Sequence, residues 1–422
     1  MKRYVLVCFA MATVTGLACV LILPQSWFGL LRRGKLEPSS RSDGGPPEVV
    51  WTFEPVERGA IVSSPLVVGE RIYLSVIHDA GLATYGTVYC LERGTGKPIW
   101  KFDNDGRMLH MYSSPCLAEG RLYVGEGMHQ NFSCKLYCLD AKTGHELWHF
   151  QTAGHIESSP CVAEGRVFFG AGDEGLFCLD AVTGRQRWNF RGDIHVDTSP
   201  QVVGQRVYAG SGMSRLHKST EIFCLDAASG AEVWRKRTDL PVWGSPAVDG
   251  DAVFFGLGNG RLLEPPAPPA RAAGALLCVD ARSGTERWRF SGSDAVFCRP
   301  ALDEAHVYFG SRDHFCYCLD RERGQLAWKV DMRSPLVARP ALADGRLYAV
   351  SSGGLVRCLD AAQGSVLWTF DLAAHSRTRP QIFSSPSVIR AEGMDARHHL
   401  LYVGSELSNS VSSAAVLYCL RD

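Results

Sequence analysis

The stretch Cys138-Leu-Asp140-Ala-Lys-Thr-Gly144-His-Glu-Leu-Trp148 decides the fold, because close copies of it recur along the chain. Each copy has a Cys, a hydrophobic residue and an acid, then a turn closed by Gly, and a Trp ten positions after the Cys. A repeat of ~40–50 residues has room for four short strands. The seven copies begin at Cys90, Cys138, Cys178, Cys224, Cys278, Cys318 and Cys358.

A second repeated column raises the number of units to eight. It is a Ser-Pro or Arg-Pro pair that lies upstream of each Cys motif and is followed by two apolar strands with a turn between them. Four short strands joined by Gly-rich turns form one antiparallel blade of a β-propeller. The eight pairs are Ser64-Pro65, Ser114-Pro115, Ser159-Pro160, Ser199-Pro200, Ser245-Pro246, Arg299-Pro300, Arg339-Pro340 and Ser385-Pro386.

The two ends of the repeat complete one blade. Val49-Val-Trp51-Thr-Phe53 is a Trp strand with no Cys strand before it, and Val416-Leu-Tyr-Cys419 is a Cys strand with no Trp strand after it. We predict that residues 49–54 form the outer strand of the blade whose other strands come from residues 382–420. The expected fold is therefore all-β, an eight-bladed propeller over residues 49–422, closed by the pairing of its first and last strands.

The amino-terminal sequence differs from the repeat. Residues 4–23 are uncharged and long enough for a membrane-spanning helix, and Arg32, Arg33 and Lys35 follow. We predict a signal anchor or transmembrane helix over residues 1–33 and a flexible tether over 34–48, with a cleaved signal peptide as the alternative. The propeller would then be extracytoplasmic, and periplasmic in a cell with two membranes.

Net charge excludes one class of partner. The chain has 44 Lys and Arg against 44 Asp and Glu, which leaves no excess charge for an electrostatic grip on nucleic acid. The 15 cysteines include eight at the repeated Cys position, which we interpret as small buried strand residues that cannot pair with one another.

The phrase Leu-Asp-Ala-x-Thr-Gly-x-x-x-Trp, at residues 139–148 and 179–188, resembles the tryptophan-docking motif of the pyrroloquinoline-quinone (PQQ)-type β-propeller superfamily. The resemblance covers residues 49–422 and implies eight blades with one Trp packed between each adjacent pair. The Trp residues at this position are Trp51, Trp100, Trp148, Trp188, Trp234, Trp288, Trp328 and Trp368.

This superfamily contains quinone-dependent dehydrogenases and also cofactor-free scaffolds, such as the BamB-type propellers of outer-membrane protein assembly. The large dehydrogenases carry an adjacent Cys-Cys pair and calcium ligands in long inserts, and this sequence has no adjacent Cys pair and short blades. We therefore predict a monomeric, non-catalytic scaffold for a protein or peptide partner, without a cofactor or a metal. The alternatives are a dehydrogenase that uses PQQ with calcium near Trp243 and Arg299, and a sensor of a small polar ligand.

The inner strands supply the candidate ligand residues. Positions three and one before each Pro lie on the same side of an extended strand, and they vary within the chain, which is typical of a wall that faces the central pore. Glu157 and Asp197 would form an acidic sector, with Arg339 opposite Glu157; the alternative is that these charges pair through water and only fill the pore. The candidate residues are Tyr112, Glu157, Asp197, Trp243, Phe297, Arg299 and Arg339.

Five loops interrupt the repeat and are the expected places for partner contacts, because insertions on a rigid repeat scaffold often carry function. Tolerated loop growth without a function is the alternative. One match to a zinc-protease motif, His145-Glu-Leu-Trp-His149, falls in a turn and a strand and is rejected, since that site requires a helix. The loops are Ile77–Gly86, Met128–Cys134, Ser211–Thr220, Gly258–Gly274 and Arg390–His399.

Overall fold

A computed structural model describes residues 45–79, 84–129, 131–259, 273–375, 379–391, 398–408 and 413–422. These residues form eight antiparallel sheets, which are the eight blades of a propeller. The predicted all-β, eight-bladed fold is confirmed. The predicted anchor at residues 1–33 and most of the tether lie outside the described residues. In the described part of the chain, no helix is apolar and long enough to span a membrane.

The first half of the chain supplies the first four blades and one strand of the last. Blade 1 contains β2 to β6, and blades 2, 3 and 4 each take the next four strands. The bounds are β1 (Glu48–Phe53), β2 (Gly59–Ala60), β3 (Leu66–Val68), β4 (Arg71–Asp79), β5 (Thr84–Glu92), β6 (Pro98–Phe102), β7 (Cys116–Ala118), β8 (Arg121–Gly125), β9 (Lys135–Asp140), β10 (Glu146–Gln151), β11 (Cys161–Ala163), β12 (Arg166–Gly170), β13 (Leu176–Asp180), β14 (Gln186–Phe190), β15 (Gln201–Val203), β16 (Arg206–Ser211), β17 (Glu221–Asp226) and β18 (Glu232–Arg237).

The second half supplies blades 5 to 7, with four strands each, and most of blade 8. A short 3₁₀ helix, Leu372–His375, precedes blade 8. The bounds are β19 (Ala247–Asp249), β20 (Ala252–Gly258), β21 (Gly274–Asp280), β22 (Glu286–Gly292), β23 (Ala301–Leu302), β24 (His306–Gly310), β25 (Phe315–Asp320), β26 (Leu326–Asp331), β27 (Ala341–Ala343), β28 (Arg346–Val350), β29 (Leu355–Asp360), β30 (Val366–Asp371), β31 (Arg379–Gln381), β32 (Ser387–Arg390), β33 (His399–Ser408) and β34 (Ser413–Arg421).

Blade 8 is closed by the two ends of the repeat. Strand β1 pairs antiparallel with β34, with Val49 opposite Leu420 and Phe53 opposite Leu417. The predicted closure is therefore confirmed. In blades 1 and 8 the innermost strand is divided into two short pieces, β2 with β3 and β31 with β32.

The repeated motif forms a turn that receives the Trp of the preceding blade. In blade 2, the Asp140 carboxylate accepts the backbone N–H groups of Lys142 and Thr143, and Gly144 adopts a φ of +77°. A side chain with a Cβ is strained at this φ, and a Cβ on Gly144 would lie 2.6 Å from the Trp100 ring. The absence of a side chain at this Gly therefore makes room for the indole.

Most of the motif Trp residues also donate a hydrogen bond across the blade boundary. The Trp100 N–H donates to the carbonyl of Ala141 at 3.2 Å. The residue before each motif Trp also forms a β-bulge, which interrupts the register with the Cys strand, as between Glu146 and Trp148. Trp368 lacks such a partner among the described residues. Among the residues that the structure describes, blade 8 has no copy of the receiving turn, so the Trp368 N–H lacks the acceptor found at other boundaries. Trp148 also lacks an acceptor, and nothing in the structure explains that.

The hydrophobic core is divided into eight clusters, and each cluster lies between two neighbouring blades. One example combines Tyr208 and Trp234 of blade 4 with Phe255 and Leu277 of blade 5. The eight repeated cysteines are buried in these clusters, and no disulfide is present among the thirteen described cysteines. Burial raises the pKa of Cys138 to about 12, so this thiol stays protonated at neutral pH.

Strand direction gives the propeller two different faces. Loops between the second and third strands of each blade, and the connections to the next blade, emerge on one face, which we call the loop face. The tight turns that contain the Asp and Gly of the motif emerge on the other, the turn face. The predicted loop Ile77–Gly86 is shorter than expected, because Ile77 pairs with Gly86 and Asp79 with Thr84 as β4 and β5 extend.

Candidate functional site: the central pore and the loop face

The Ser before each Pro ties neighbouring blades together at the centre of the ring. The backbone N–H of Ser64 donates to the Ser114 hydroxyl at 2.9 Å, and Ser114 donates in the same way to Ser159. The sequence predicts a pore wall for this column, and the structure adds a hydrogen bond between blades. The remaining bonds of this hydroxyl ring are Ser159 to Ser199, Ser199 to Ser245, Arg339 to Ser385 and Ser385 to Ser64.

The ring is interrupted where Arg299 and Arg339 replace Ser, because neither residue offers a hydroxyl acceptor. Burial and the charge of Arg339 lower the pKa of Arg299 to about 10. The Arg339 side chain keeps water-accessible surface, yet surrounding protein lowers its pKa as well. In the described part of the chain, neither guanidinium forms an ion pair with a carboxylate, and the Arg299 Nε is buried without a hydrogen bond. Both remain charged at neutral pH.

Arg299 acts electrostatically across several blades. Its charge acts on Cys161 of blade 3, three blades away around the ring, where burial raises the thiol pKa and the guanidinium opposes the rise. The Arg339 charge acts on Cys298 of blade 6. The charge of Arg339 also acts on Arg299 of the neighbouring blade, and we call these two residues the arginine pair.

The two predicted acidic residues lie among histidines. Asp197 contacts three imidazoles through their Nε2 atoms: His195 at 2.7 Å, His155 at 3.1 Å and His129 at 3.5 Å. These four residues, which we call the His–Asp cluster, bring one ligand atom each to within 4.8 Å of one another. Blade 2 contributes His129, blade 3 contributes His155, and blade 4 contributes His195 and Asp197.

Two further carboxylates hold the outer nitrogens of this cluster. The Nδ1 of His129 lies 2.6 Å from Glu157, and the Nδ1 of His195 lies 2.6 Å from Asp173. The backbone N–H of His129 also donates to Glu157 at 2.8 Å, which fixes the loop and the ring together. Glu157 therefore pairs with a histidine of the neighbouring blade, and its predicted partner across the pore, Arg339, makes no ion pair with it.

These contacts shift the ionisation of the cluster. Burial would raise the pKa of Asp197, but His195 and His155 outweigh it and hold the pKa far below its usual range. Burial also opposes charge on His195, yet Asp197 and Asp173 raise its pKa to about 9. The hydrogen bond to Glu157 raises the pKa of His129.

The three aromatic candidates are half-buried around the same pore. Burial raises the pKa of Tyr112, and the charges of Glu157 and Glu406 raise it further. The Trp243 ring lies against Gly212, and its buried indole N–H has no acceptor in the described residues. The Arg312 guanidinium lies 5.7 Å from the centre of the Phe297 ring.

The three histidines of the cluster were missed by the sequence interpretation, although one signal was present. Five positions before the Pro, blades 2, 3 and 4 carry His110, His155 and His195, on the same side of the strand as the candidate column. His129 comes from a loop insertion, where no repeat column exists to identify it. The predicted absence of a metal site did not take this group of histidines into account.

The loop face also carries exposed apolar side chains. Phe132 and Leu216 are 78% and 75% exposed, and both lie in predicted insertion loops between the second and third strands of their blades. Val56, in the connection from β1 to β2, is fully exposed on the same face. The most exposed large apolar residues of the described chain therefore lie on one face.

Eight blades that dock through a repeated Trp motif define the class of PQQ-like β-propeller repeat proteins. A family model described as outer membrane protein assembly factor BamB matches residues 43–131, 84–219, 213–264 and 272–405. The chain belongs to this family. No curated protein matches its sequence significantly.

Solved structures of similar fold include scaffolds and enzymes. BamB from Moraxella catarrhalis is 16% identical, with a TM-score of 0.62 over 88% of this chain and 98% of that one. A quinohemoprotein alcohol dehydrogenase from Comamonas testosteroni is 13% identical, with a TM-score of 0.65 over 89% of this chain and 76% of that one. At such identities the likeness shows the fold alone, and both kinds of protein share it.

Proposed function

We propose that this chain is a membrane-tethered, non-catalytic propeller scaffold that stands outside the cytoplasm and binds a protein or peptide partner through its loop face. Family membership supports an assembly role, and the uncharged sequence of residues 4–23 supports a tether. The expected partner has an apolar surface that covers the exposed loop residues.

The exposure of Phe132 and Leu216 carries this proposal. Large apolar side chains that extend from ordered loops into water are unfavourable unless another surface covers them, and aromatic residues are enriched where proteins bind one another. The turn face has a different character. Its exposed apolar residues are single valines such as Val182, which is about half exposed.

Site-specific photo-crosslinking in native membranes tests the scaffold role. A photoreactive amino acid replaces Phe132 or Leu216 on the loop face, and Val182 on the turn face serves as the matched control. We expect the same crosslinked protein from both loop positions and none from position 182. Equal products at all three positions, or no product at the loop positions, would refute a partner on the loop face.

A ligand sensor is a second candidate function, and the arginine pair favours it. Arg299 is half-buried and Arg339 is exposed, and neither has a carboxylate partner among the described residues. Two such guanidinium groups suit a ligand that carries a carboxylate or a phosphate. Calorimetric titration with citrate and with inorganic phosphate should show binding that Arg299→Gln and Arg339→Gln each remove. Arg237→Gln, at a mostly exposed site on the outer strand β18, is the control. Unchanged binding in the pore variants would exclude the arginine pair as the site.

The dehydrogenase alternative, with PQQ and calcium, does not fit the groups present. Calcium prefers oxygen ligands, and the pore carboxylates Glu157 and Asp197 are already held by imidazole nitrogens. Addition of PQQ and calcium to the purified protein, followed by a dye-reduction assay, tests this directly. Dye reduction that requires both additions would restore the enzyme hypothesis.

A further inference from the structure

The His–Asp cluster has the donor atoms and the spacing of a transition-metal site. Around a tetrahedral Zn²⁺ with bonds of ~2.0–2.1 Å, neighbouring ligand atoms lie ~3.3 Å apart. The Nε2 atoms of His195 and His129 lie 2.7 and 3.5 Å from one Asp197 oxygen, and the Nε2 of His155 lies 3.1 Å from the other. One ligand atom from each of the four residues lies within 4.8 Å of the rest. Small side-chain movements would therefore be enough to place one ion among the four ligands.

The outer contacts of the histidines match those of metal ligands. A histidine that binds a metal usually donates its other ring N–H to a carboxylate, which fixes the tautomer and directs the lone pair of the free nitrogen at the metal. His129 has Glu157 at its Nδ1, and His195 has Asp173. In both residues the Nε2 points to the centre of the cluster, so two of the three imidazoles are already oriented for binding.

The backbone leaves space for the third imidazole. A Cβ on Gly172 would lie 2.7 Å from the His155 ring, so the Gly allows the ring to approach the chain closely. The rings of His129 and His155 are stacked, with centroids 4.8 Å apart, and both Nε2 atoms face Asp197. Side-chain exposure is 49% for His129 and 2% for His195, so the cluster is open to water at His129, whose loop lies on the loop face.

Charge also favours a cation at this position. Three carboxylates, Asp197, Glu157 and Asp173, lie within 4 Å of imidazole nitrogens of the cluster. With neutral imidazoles the group carries three negative charges, and one divalent ion would reduce this excess to a single charge. Protons on the histidines are the competing way to balance it, and the experiment below separates the two.

We propose that His129, His155, His195 and Asp197 bind one divalent transition-metal ion, of which Zn²⁺ is the type, at the loop-face end of the pore. Imidazole nitrogen with one carboxylate suits Zn²⁺ and its neighbours in the first transition row, and does not suit Ca²⁺ or Mg²⁺. Since the ligands come from blades 2, 3 and 4, the ion joins three blades and holds the loop that carries Phe132. This inference is independent of the scaffold proposal.

Metal binding by the full-length protein in detergent tests the site. After treatment with a chelator, the protein is titrated with Zn²⁺ by calorimetry and with Co²⁺ by visible absorption, which reports tetrahedral nitrogen ligation. We expect one ion per chain, no binding of Ca²⁺, and a rise in melting temperature when the ion is present. Binding that is no tighter than in the cluster variants, or a preference for Ca²⁺, would overturn the proposal.

Variants identify the ligands. His129→Ala is expected to fold because the side chain is half exposed. Loss of an outer carboxylate lowers metal affinity ~10–100-fold, and loss of a ligand in His129→Ala or His195→Ala should lower it more. Asp173→Asn should show that smaller loss with one ion still bound. His149→Ala is the control, since His149 lies on the exposed strand β10 and pairs with Glu146. Full affinity in His129→Ala and Asp173→Asn would show that the ion binds elsewhere.

Discussion

Gly184 and Gly165 adopt almost the same backbone conformation, with φ of +70° and +69°. A Cβ on Gly184 would lie 2.7 Å from the Trp148 ring, whereas a Cβ on Gly165 would meet nothing within 4 Å. The pair therefore separates the role of backbone freedom from the role of Trp docking.

Replacement of these two glycines by alanine should have unequal effects. Gly165→Ala is expected to lower the free energy of unfolding by about 1–2 kcal/mol, because of the strained backbone alone. Gly184→Ala should lower the free energy of unfolding by a further ~1–3 kcal/mol, because the methyl group displaces the indole of Trp148. Urea unfolding of both variants measures the difference. Equal losses would mean that Trp docking at this boundary contributes little to stability.

Arg299 is the residue where stability and ligand binding are expected to oppose each other. Arg299→Ser would place a hydroxyl where six of the other blades have one, so the backbone N–H of Ser245 would gain an acceptor. It would also remove one of two like charges. We expect a gain of about 1 kcal/mol from one inter-blade hydrogen bond.

Calorimetric melting of Arg299→Ser checks this expectation, and Ser199→Ala is the matched control, since it removes the hydroxyl that accepts the backbone N–H of Ser159. The first variant should melt above the wild type and the second below it. A lower melting temperature for Arg299→Ser would show that the guanidinium makes favourable contacts in the folded state.

At the scale of elements, the pairing of β1 with β34 closes the ring. Deletion of residues 49–54 should lower the melting temperature sharply, because it exposes the edge of blade 8 and removes Trp51 from the boundary with blade 1. Deletion of residues 36–41, which precede the repeat, is the control of equal length. If both deletions melt alike, β1 is dispensable for closure.

A buried ionic group joins blades 7 and 8 near this closure. Asp422 accepts hydrogen bonds from the Tyr348 hydroxyl at 2.6 Å and the His399 backbone N–H at 2.6 Å, and it pairs with Arg346 at 2.8 Å. The His399 Nε2 lies 2.9 Å from Asp344. The hydrogen bond to Asp422 raises the pKa of His399, and burial of Asp422 is outweighed by His399 and Tyr348, so that its pKa falls to about 2.

The directions of these shifts fix the pH dependence. A raised histidine pKa gives stability that is complete below the unfolded value of ~6.5 and is lost as pH rises through the folded value. A lowered aspartate pKa gives stability that is complete above ~3.9 and is lost as pH falls towards 2. Both contributions are therefore complete between ~4 and ~6.5.

Comparison of His399→Gln with the wild type tests this dependence. The difference in melting temperature should be largest near pH ~6 and should shrink as the pH rises through the raised pKa of His399. His149→Gln, on an exposed strand, should show no such trend. A difference that stays constant with pH would mean that His399 is neutral in the folded protein.

At the scale of the whole molecule, the repeat made the fold predictable. Each blade contains the same sequence of Pro, turn, Cys, Gly and Trp, so the strand order and the closure by Trp51 and Cys419 followed from alignment within one chain. The lengths of the strands were harder to predict from the sequence. Nothing in the residues from Ile77 to Gly86 signals that β4 and β5 continue to Asp79 and Thr84.

The candidate site was only partly predictable for the same reason. Asp197 and Glu157 stood out as departures from a column, but their partners include His129, whose loop has no equivalent in the other blades. The Ser column was visible, yet its inter-blade hydrogen bonds depend on the angle between sheets, which no single-blade pattern contains. Contacts between blades therefore had to come from the structure.

The pairing of β1 with β34 also has a consequence for synthesis of the protein. Phe53 leaves the ribosome about 360 residues before its partner Leu417, which at typical elongation rates is roughly 20–70 s. During that interval β1 has no strand to pair with, and Trp51 can already dock on blade 1 through the carbonyl of Arg93. The nascent chain thus carries an unpaired strand beside a nearly finished ring until β34 has been made, and the unpaired edge is exposed to aggregation throughout that time.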